Sequence, residues 1–328
     1  MDDIITPDCL AEIAAVPDEY CMCYSNTVNV NWPQNWKQRS FLRWYGWKYR
    51  PFEFKRQIEL EAVSAEPYPQ SISKIRFAPN HVRAYRTKDY REIGGHDESM
   101  TISDDHDINL RMYLHWKVYH IDKPLYIYRV HWENTRLKYT QEIQTTMREQ
   151  HDKYIVPLMK KWSETNWLKV IDLGWAFNAP EGFITVDRHN ADVNCDLNGK
   201  RPFEDNSVGL IRASNIIEHL KDPIHTMNEA YRVLAHWGVM MIEVPDANGL
   251  WWVSDPTHVS RWNIRSFRYY TEPGMRKYIE PECNCKFNLL KPAEEKTILD
   301  WCKFVFASLM AEKEWHRFYW TNHWVKYE

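Results

Sequence analysis

The sequence predicts an α/β protein in which a parallel sheet covered by helices fills the carboxyl-terminal half and a smaller α/β module precedes it. Three observations carry that expectation. Between Lys169 and Asp246, apolar runs of strand length alternate with polar turns and one helix-period segment, which is the pattern of strand–helix–strand units rather than of hairpins. Acidic residues fall at the ends of those runs, and open sheets of this kind bind ligands at the carboxyl ends of their strands. The chain has 328 residues and is 44% hydrophobic, enough for two separate cores.

In chain order, Met1-Asp2-Asp3-Ile4-Ile5-Thr6-Pro7-Asp8 precedes an apolar-periodic helix from Leu10 to Ala15. The stretch from Ala78 to Thr135 holds the turn Gly94-Gly95 and the acids Asp104-Asp105-His106-Asp107. These acids stand ahead of an amphipathic helix from Ile108 to Leu114, where an aspartate suits the N-cap and the helix dipole. The strand LYIYRVH then ends at His131. Leu137 to Trp162 reads as a helix that Pro157 interrupts or kinks, and the polar stretch Lys160 to Trp167 marks a boundary. The expected layout is a first module over 1–140, a helical linker over 141–166 and a second domain over 167–328.

In the second domain, Val170-Ile171 run into Asp172-Leu173-Gly174, a strand ending in a glycine turn. Phe183 to Val186 is a strand followed by Asp187, placed where a carboxylate accepts both hydroxyls of a ribose. Asp196 stands in the same way behind Val193-Asn194-Cys195, at a height suited to an adenine edge, and Val208 to Arg212 ends at Ala213-Ser214-Asn215. Asp222-Pro223, with Ile224, Met227, Ala230 and Leu234 on one face, is a capped amphipathic helix. Met240 to Val244 is the last core strand. The polar, aromatic loop behind it, ANGLWWVSDPTHVSRWNIRSFRYYT, is where a substrate would dock. Phe304-Val305-Phe306 completes the sheet.

Four segments carry a family resemblance. DLGWAFNAPEGFITVD, CDLNGKRPFEDNSV, ASNIIEHL and EAYRVLAHWGVMMIEVP resemble, in order, the motifs of class I S-adenosylmethionine-dependent methyltransferases with their Rossmann-like sheet, particularly those found with glycan-biosynthesis enzymes. The resemblance covers about Leu168 to Tyr270. It implies that S-adenosylmethionine is held by Asp172, Gly174, Asp187, Asp196, Leu197, Ser214 and Asn215, with Gly174 under the methionine part, Asp187 on the ribose and Asp196-Leu197 around the adenine. Glu218-His219 resemble the family's Glu-His pair, and Asp255 and His258, in DPTH, lie near its acceptor. Methyl transfer to a sugar hydroxyl needs orientation and a base. His258 is the first candidate for that base and His219 the second; each is also explained by a structural hydrogen bond. Two departures stand out: Ala176 replaces the usual second glycine of the first turn, and His236-Trp237-Gly238 replaces the usual Pro-Gly-Gly.

The amino-terminal module resembles the acceptor half of a family-2, GT-A type glycosyltransferase, through Asp2-Asp3, Gly94-Gly95, Asp104-Asp105 and LYIYRVH. That resemblance implies a divalent cation, Mn or Mg, on Asp2 and Asp3 with His131 as an additional ligand, and Asp105 as the base. A GT-A fold places its nucleotide-binding elements ahead of this motif. The expectation is therefore a partial module, completed by an upstream segment or a partner chain, or serving as an acceptor-binding platform.

Composition narrows the partners. The net charge is −3 and no long basic block stands out, which argues against nucleic acid. No run of eighteen apolar residues and no basic-then-apolar leader is visible, so a cytoplasmic protein with no membrane span is expected. Of seven cysteines, Cys21 with Cys23 and Cys283 with Cys285 form C-x-C pairs. Reduced structural thiols are the first reading, and zinc the second. Seventeen tryptophans, among them Trp36, Trp44, Trp47, Trp251 and Trp252, offer faces that stack on sugar rings. Together with the family resemblances, these features predict methyl transfer to a saccharide or small acceptor, or to an acceptor derived from a nucleotide-sugar. The rivals are a glycosyltransferase with an accessory methyltransferase-like domain, and a non-catalytic glycan-binding protein.

Overall fold

A computed structural model describes residues 3–30, 48–64, 80–129, 139–174, 178–290, 293–299 and 302–313. The chain forms two compact units, Met1–Leu158 and Met159–Glu328. Asp2, His131, Ala176 and the tryptophans at 36, 44 and 47 lie outside the described residues.

The first unit is built on one mixed sheet. Strand β2 (Met22–Val30) is central and buried along nearly its whole length. It runs parallel to β6 (Val118–Arg129) and antiparallel to β4 (Gln57–Val63) and β5 (Arg83–Tyr85). Strand β1 (Ile4–Ile5) extends the sheet beyond β6, and β3 (Lys48–Phe54) forms a hairpin with β4. Among the described residues it is accompanied by α1 (Cys9–Ala14), α2 (Thr87–Glu92) and α3 (Asp104–His115). Helix α3 buries Ile108, Leu110 and Met112, and Leu110 packs with Tyr154 and Leu158. Its N-cap is Ser103, in a left-handed conformation, rather than an aspartate; Asp104, Asp105 and Asp107 lie in the first turn, where the helix dipole still favours them.

Tyr154 and Leu158 belong to α4 (Thr140–Thr165), in which Pro157 is accommodated inside the helix. The polar stretch expected to break the chain after Lys160 is helical to Thr165. There it packs on the second unit's own sheet: a side chain added at Gly209 would sit 2.1 Å from Ser163 Oγ, so glycine is what permits this approach.

The second unit holds a sheet whose strands lie in the order 287–289, 302–311, 234–245, 208–214, 169–173, 184–187 and 193–194, with 294–299 also paired to 302–311. Strands β7 (Lys169–Leu173), β8 (Ile184–Asp187), β9 (Val193–Asn194), β10 (Val208–Ser214) and β11 (Leu234–Pro245) are parallel. Strand β14 (Cys302–Ala311) returns antiparallel to β11, and β12 (Phe287–Leu289) and β13 (Glu294–Leu299) pair antiparallel with β14. The Phe304-Val305-Phe306 strand thus joins the sheet as expected. Ile171, Leu173, Ile211, Ala213, Met240 and Val244 are almost fully buried. Over them lies α5 (Pro223–Val233), with Met227, Ala230 and Val233 inward. Asp222 caps it, its Oδ1 accepting from the N–H groups of Ile224 and His225 at 2.9 Å each.

The His236-Trp237-Gly238 departure has a structural outcome. Val208 pairs with Leu234 and Leu210 with Val239, so Ala235 to Gly238 bulge out of register.

Replacing Gly209 by alanine should lower the unfolding free energy by about 1–3 kcal/mol through overpacking against Ser163. An unchanged denaturation midpoint would show that the helix does not press on the strand at this point.

Candidate functional site

Strand order reverses between β7 and β10. From β7 the chain proceeds outward to β8 and β9, whereas β10 lies on β7's other side and leads to β11. Such a reversal leaves a crevice at the carboxyl ends of the two flanking strands. The residues there are Gly174 and Ser214-Asn215.

Gly174 has φ +88°, and a side chain on it would overlap Ile216 at 2.2 Å, so both the turn and the close approach require glycine. Asn215 also lies in the left-handed region, at φ +52°, a conformation asparagine tolerates better than most residues. Its N–H donates to the Glu243 carbonyl at 2.9 Å. Its Oδ1 is buried and meets no donor among the described residues. A buried acceptor without a donor costs about 1–3 kcal/mol, so this atom is suited to a ligand that brings one. Ser214 donates its hydroxyl to Glu243 at 3.0 Å.

Asp187 closes β8, and its Oδ1 takes the N–H of Arg188. Asp196 is exposed and accepts from the backbone N–H and side chain of Asn198 at 3.0 and 3.1 Å, with Arg188 at 3.2 Å. Those bonds hold its pKa at about 2, so it is ionised throughout the neutral range. Leu197 is turned into the core, 5% exposed. Asp172 is 1% exposed and paired with Arg212 at 2.9 Å across the β7–β10 register. Burial pushes its carboxyl pKa up, and Arg212 offsets this only in part. Its Oδ1 is taken by that ion pair, whereas its Oδ2 is buried and meets no donor among the described residues.

A second cluster stands next to the crevice. Behind Asn215, Ile217–His219 form one 3-10 turn, onto which the loop after β11 is fastened. The Glu218 carbonyl accepts the N–H groups of Val259 and Ser260 at 2.9 Å each. Ser260 Oγ donates to the Ile217 carbonyl and accepts from Trp262 Nε1. Asp255 folds the tip by accepting from Thr257 N–H and Oγ. These bonds bring His258 against the turn, its ring 4.7 Å from that of His219 and its Nε2 3.9 Å from Glu218 Oε1. Glu218 is fully buried, and desolvation pushes its pKa up to about 7. Sequence reasoning placed both histidines here but passed over Glu218 as a group in its own right. The signal was an acid inside an otherwise apolar strand-to-turn segment, Asn215-Ile216-Ile217-Glu218.

In the first unit, Asp105 Oδ2 accepts from Arg83 Nη1 at 2.5 Å; burial works to raise its pKa, but the arginine outweighs this and holds it below the ordinary value. Asp3 accepts from Tyr126 Oη at 2.8 Å and from the N–H of Arg129 at 2.9 Å. Each of its oxygens thus accepts one hydrogen bond, and the other two expected ligands, Asp2 and His131, lie outside the described residues; no step through a cation is derived for this unit. Cys9, Cys21, Cys23, Cys283 and Cys285 are buried. No described helix is long and apolar enough to cross a membrane.

Residues 175–242, from the turn after β7 into β11, match the protein-family profile described as a methyltransferase domain. No curated protein matches the chain. Similar solved structures include a SAM dependent methyltransferase from Archaeoglobus fulgidus, 14% identical over 47% of this chain and 93% of that chain, TM-score 0.33. Phosphoethanolamine N-methyltransferase 2 from Haemonchus contortus, in complex with S-adenosyl-L-methionine, is 13% identical over 47% of this chain and 52% of that chain, TM-score 0.32. The YcgJ protein from Bacillus subtilis is 13% identical over 48% of this chain and 98% of that chain, TM-score 0.32.

Arg212→Met should destabilise the protein by about 3 kcal/mol, because it leaves Asp172 buried without its partner. The loss should shrink as pH falls. A raised folded-state pKa means that the folded form holds the proton more tightly, so lowering pH stabilises it relative to the unfolded chain. Urea titrations at neutral and mildly acidic pH read this directly; equal losses at both would remove Asp172 as the cause.

Proposed function

We propose that the protein transfers a methyl group from S-adenosylmethionine to a hydroxyl of a saccharide or small acceptor. The observation that carries this reading is the coincidence of two things in one place. The crevice at the strand reversal, with the Gly174 turn, the unpartnered Asn215 oxygen and Asp187 at the next strand end, lies within and against the segment that matches a methyltransferase domain.

The residues fit the cofactor. Asp187 offers a carboxylate to the paired hydroxyls of its ribose. Asn215 Oδ1 offers an acceptor to the N–H groups of its amino-acid part. Asp196, permanently ionised, is committed to holding the loop at Asn198 and the Arg188 side chain in place. When bound, the cofactor supplies a methyl group on a sulfonium, and displacement in line discharges that cation. What remains for the protein is to orient the acceptor and receive its proton.

The Glu218–His219–His258 cluster is placed for the second task. His258 Nδ1 lies 2.9 Å from the Trp252 carbonyl, which only accepts, so the neutral ring carries its proton there and Nε2 is the basic atom. Glu218 beside it stabilises an imidazolium once formed. For the acceptor, Trp251 is 48% exposed, while the Trp252 ring carries the Arg261 guanidinium at 4.8 Å. An exposed indole face at this loop suits the apolar side of a sugar ring.

A second reading concerns the first unit, as a saccharide-binding acceptor platform of glycosyltransferase type. It is supported by the Asp105–Arg83 pair beside Tyr85 and by the ring of His81 near that of Tyr126, 5.0 Å apart, which gather polar and aromatic groups in one unit.

Asp187→Ala should weaken S-adenosylmethionine binding by about 1.5–3 kcal/mol, roughly ten- to a hundredfold, since it removes hydrogen bonds to a charged group. Titration calorimetry measures the affinity and far-ultraviolet circular dichroism confirms the fold. Wild-type affinity in the variant would place the ribose elsewhere, and absence of heat with the wild-type chain would overturn the cofactor assignment.

A further inference from the structure

We propose that Glu218, His219 and His258 bind one divalent transition cation of the zinc or cobalt class. The role given to that cation rests on the methyltransferase reading, whereas its binding does not.

The first observation is Glu218. It is 0% exposed, and neither carboxylate oxygen has a hydrogen-bond partner among the described residues. A buried acid left in this state is costly unless something with positive charge or a proton meets it. The Val259 and Ser260 N–H groups donate to its carbonyl and fix its backbone here.

The second observation is what faces it. The His258 side chain is 3% exposed, and with its Nδ1 proton committed to the Trp252 carbonyl its Nε2 presents a lone pair. That lone pair lies 3.9 Å from Glu218 Oε1 and 3.7 Å from Asp255 Oδ2. Electron-rich atoms of His258, Glu218 and Asp255 therefore face one another at separations longer than a hydrogen bond. His219 completes the group; its Nδ1 lies 3.3 Å from the Thr257 carbonyl. One ligand atom from each of Glu218, His219 and His258 lies within 4.8 Å of the others.

Two imidazoles and one carboxylate are a donor set of zinc enzymes, which leave a coordination position open. Around a tetrahedral ion bonded at about 2.0–2.2 Å, ligand atoms stand about 3.3–3.6 Å apart, so the Glu218–His258 separation closes by only a few tenths of an ångström. Calcium and magnesium prefer sets made of oxygen alone. The Trp252 and Thr257 carbonyls are suited to be the outer partners that orient metal-bound imidazoles. A contrasting group, Asp89, Glu92 and His115, lacks these features: His115 already bonds Asp89 at 3.1 Å, and no member is fully buried.

With the cation in place, its open position would hold an acceptor oxygen beside the crevice. A cation and a proton compete for His258 Nε2, so in that state His258 is a ligand and not the base, and the acceptor hydroxyl, its pKa lowered by the cation, would give its proton to solvent.

The test uses the full chain freed of metal by chelator and titrated with Zn²⁺ by calorimetry and with Co²⁺ by visible absorption. One ion per chain should bind, with ligand-field bands and no sulfur-to-cobalt charge transfer. Glu218→Gln and His258→Gln should each weaken uptake by about tenfold or more. Cys283 and Cys285, with sulfurs 3.3 Å apart, are the competing site, and binding there shows the sulfur band and survives both substitutions. Uptake that is absent, or unchanged in Glu218→Gln, overturns the proposal. Calorimetry with S-adenosylmethionine on the metal-free chain separates the two ideas: cofactor binding without metal uptake sinks only the cation, and metal uptake without cofactor binding sinks only the methyltransferase reading.

Discussion

The reversal of strand order between β7 and β10 is the constraint on which the second unit's chemistry depends. A parallel sheet aims every strand's carboxyl end at one edge, and at a reversal the connections on either side lead away from each other. The edge between β7 and β10 is therefore left for a ligand. Gly174, Ser214 and Asn215 stand there because of where their strands end. Asp187 is one strand further out, and the 3-10 turn with Glu218 follows directly on Asn215. A short segment of chain thereby supplies both a candidate cofactor cradle and a candidate acceptor site.

The sheet was legible because its evidence is local. Val170-Ile171, Phe183 to Val186, Val208 to Arg212 and Met240 to Val244 each carry a run of apolar residues bounded by turn formers, and each lies within or beside an observed strand. The helix capped by Asp222 was legible for the same reason, since cap, proline and apolar stripe are all near neighbours in sequence. Element ends were less so. Strand β11 starts at Leu234, earlier than the apolar run, because the His236-Trp237-Gly238 bulge is held by pairing on either side of it. The end of α4 is not legible because Lys160 to Thr165 has no apolar period of its own; its fit against the sheet depends on the glycine at position 209, which leaves room for Ser163.

The site shows a different limit. Sequence motifs name residue types at strand ends, but they do not say whether a side chain is already spent on the protein. Asp172 lies inside β7 and gives one oxygen to Arg212 within the sheet, while Asp196 lies beyond β9 and is bonded to Asn198 and Arg188 at the surface. Leu197, expected beside adenine, is core. Asp3 and Asp105 in the first unit are likewise bonded by Tyr126, Arg129 and Arg83. Each of these pairings joins residues that are distant in sequence or on neighbouring strands, and no spacing rule announces them.

The reverse case is more informative. Gly174 is required by its backbone angle and by Ile216 whether or not a cofactor ever passes over it, so the glycine alone does not distinguish a binding turn from a packed one. Asn215 Oδ1 and the two oxygens of Glu218 do distinguish them. The fold buries these atoms and gives them no partner among the described residues, at an expense that better packing would have avoided. Both residues belong to the same short stretch behind β10, and both lie at the edge that the strand reversal leaves open. Buried polar atoms without a partner occur elsewhere among the described residues too, but Asp172 Oδ2, Asn215 Oδ1 and both Glu218 oxygens lie on or directly behind the two strands that flank the reversal, and that grouping argues that this edge is built for something the protein binds.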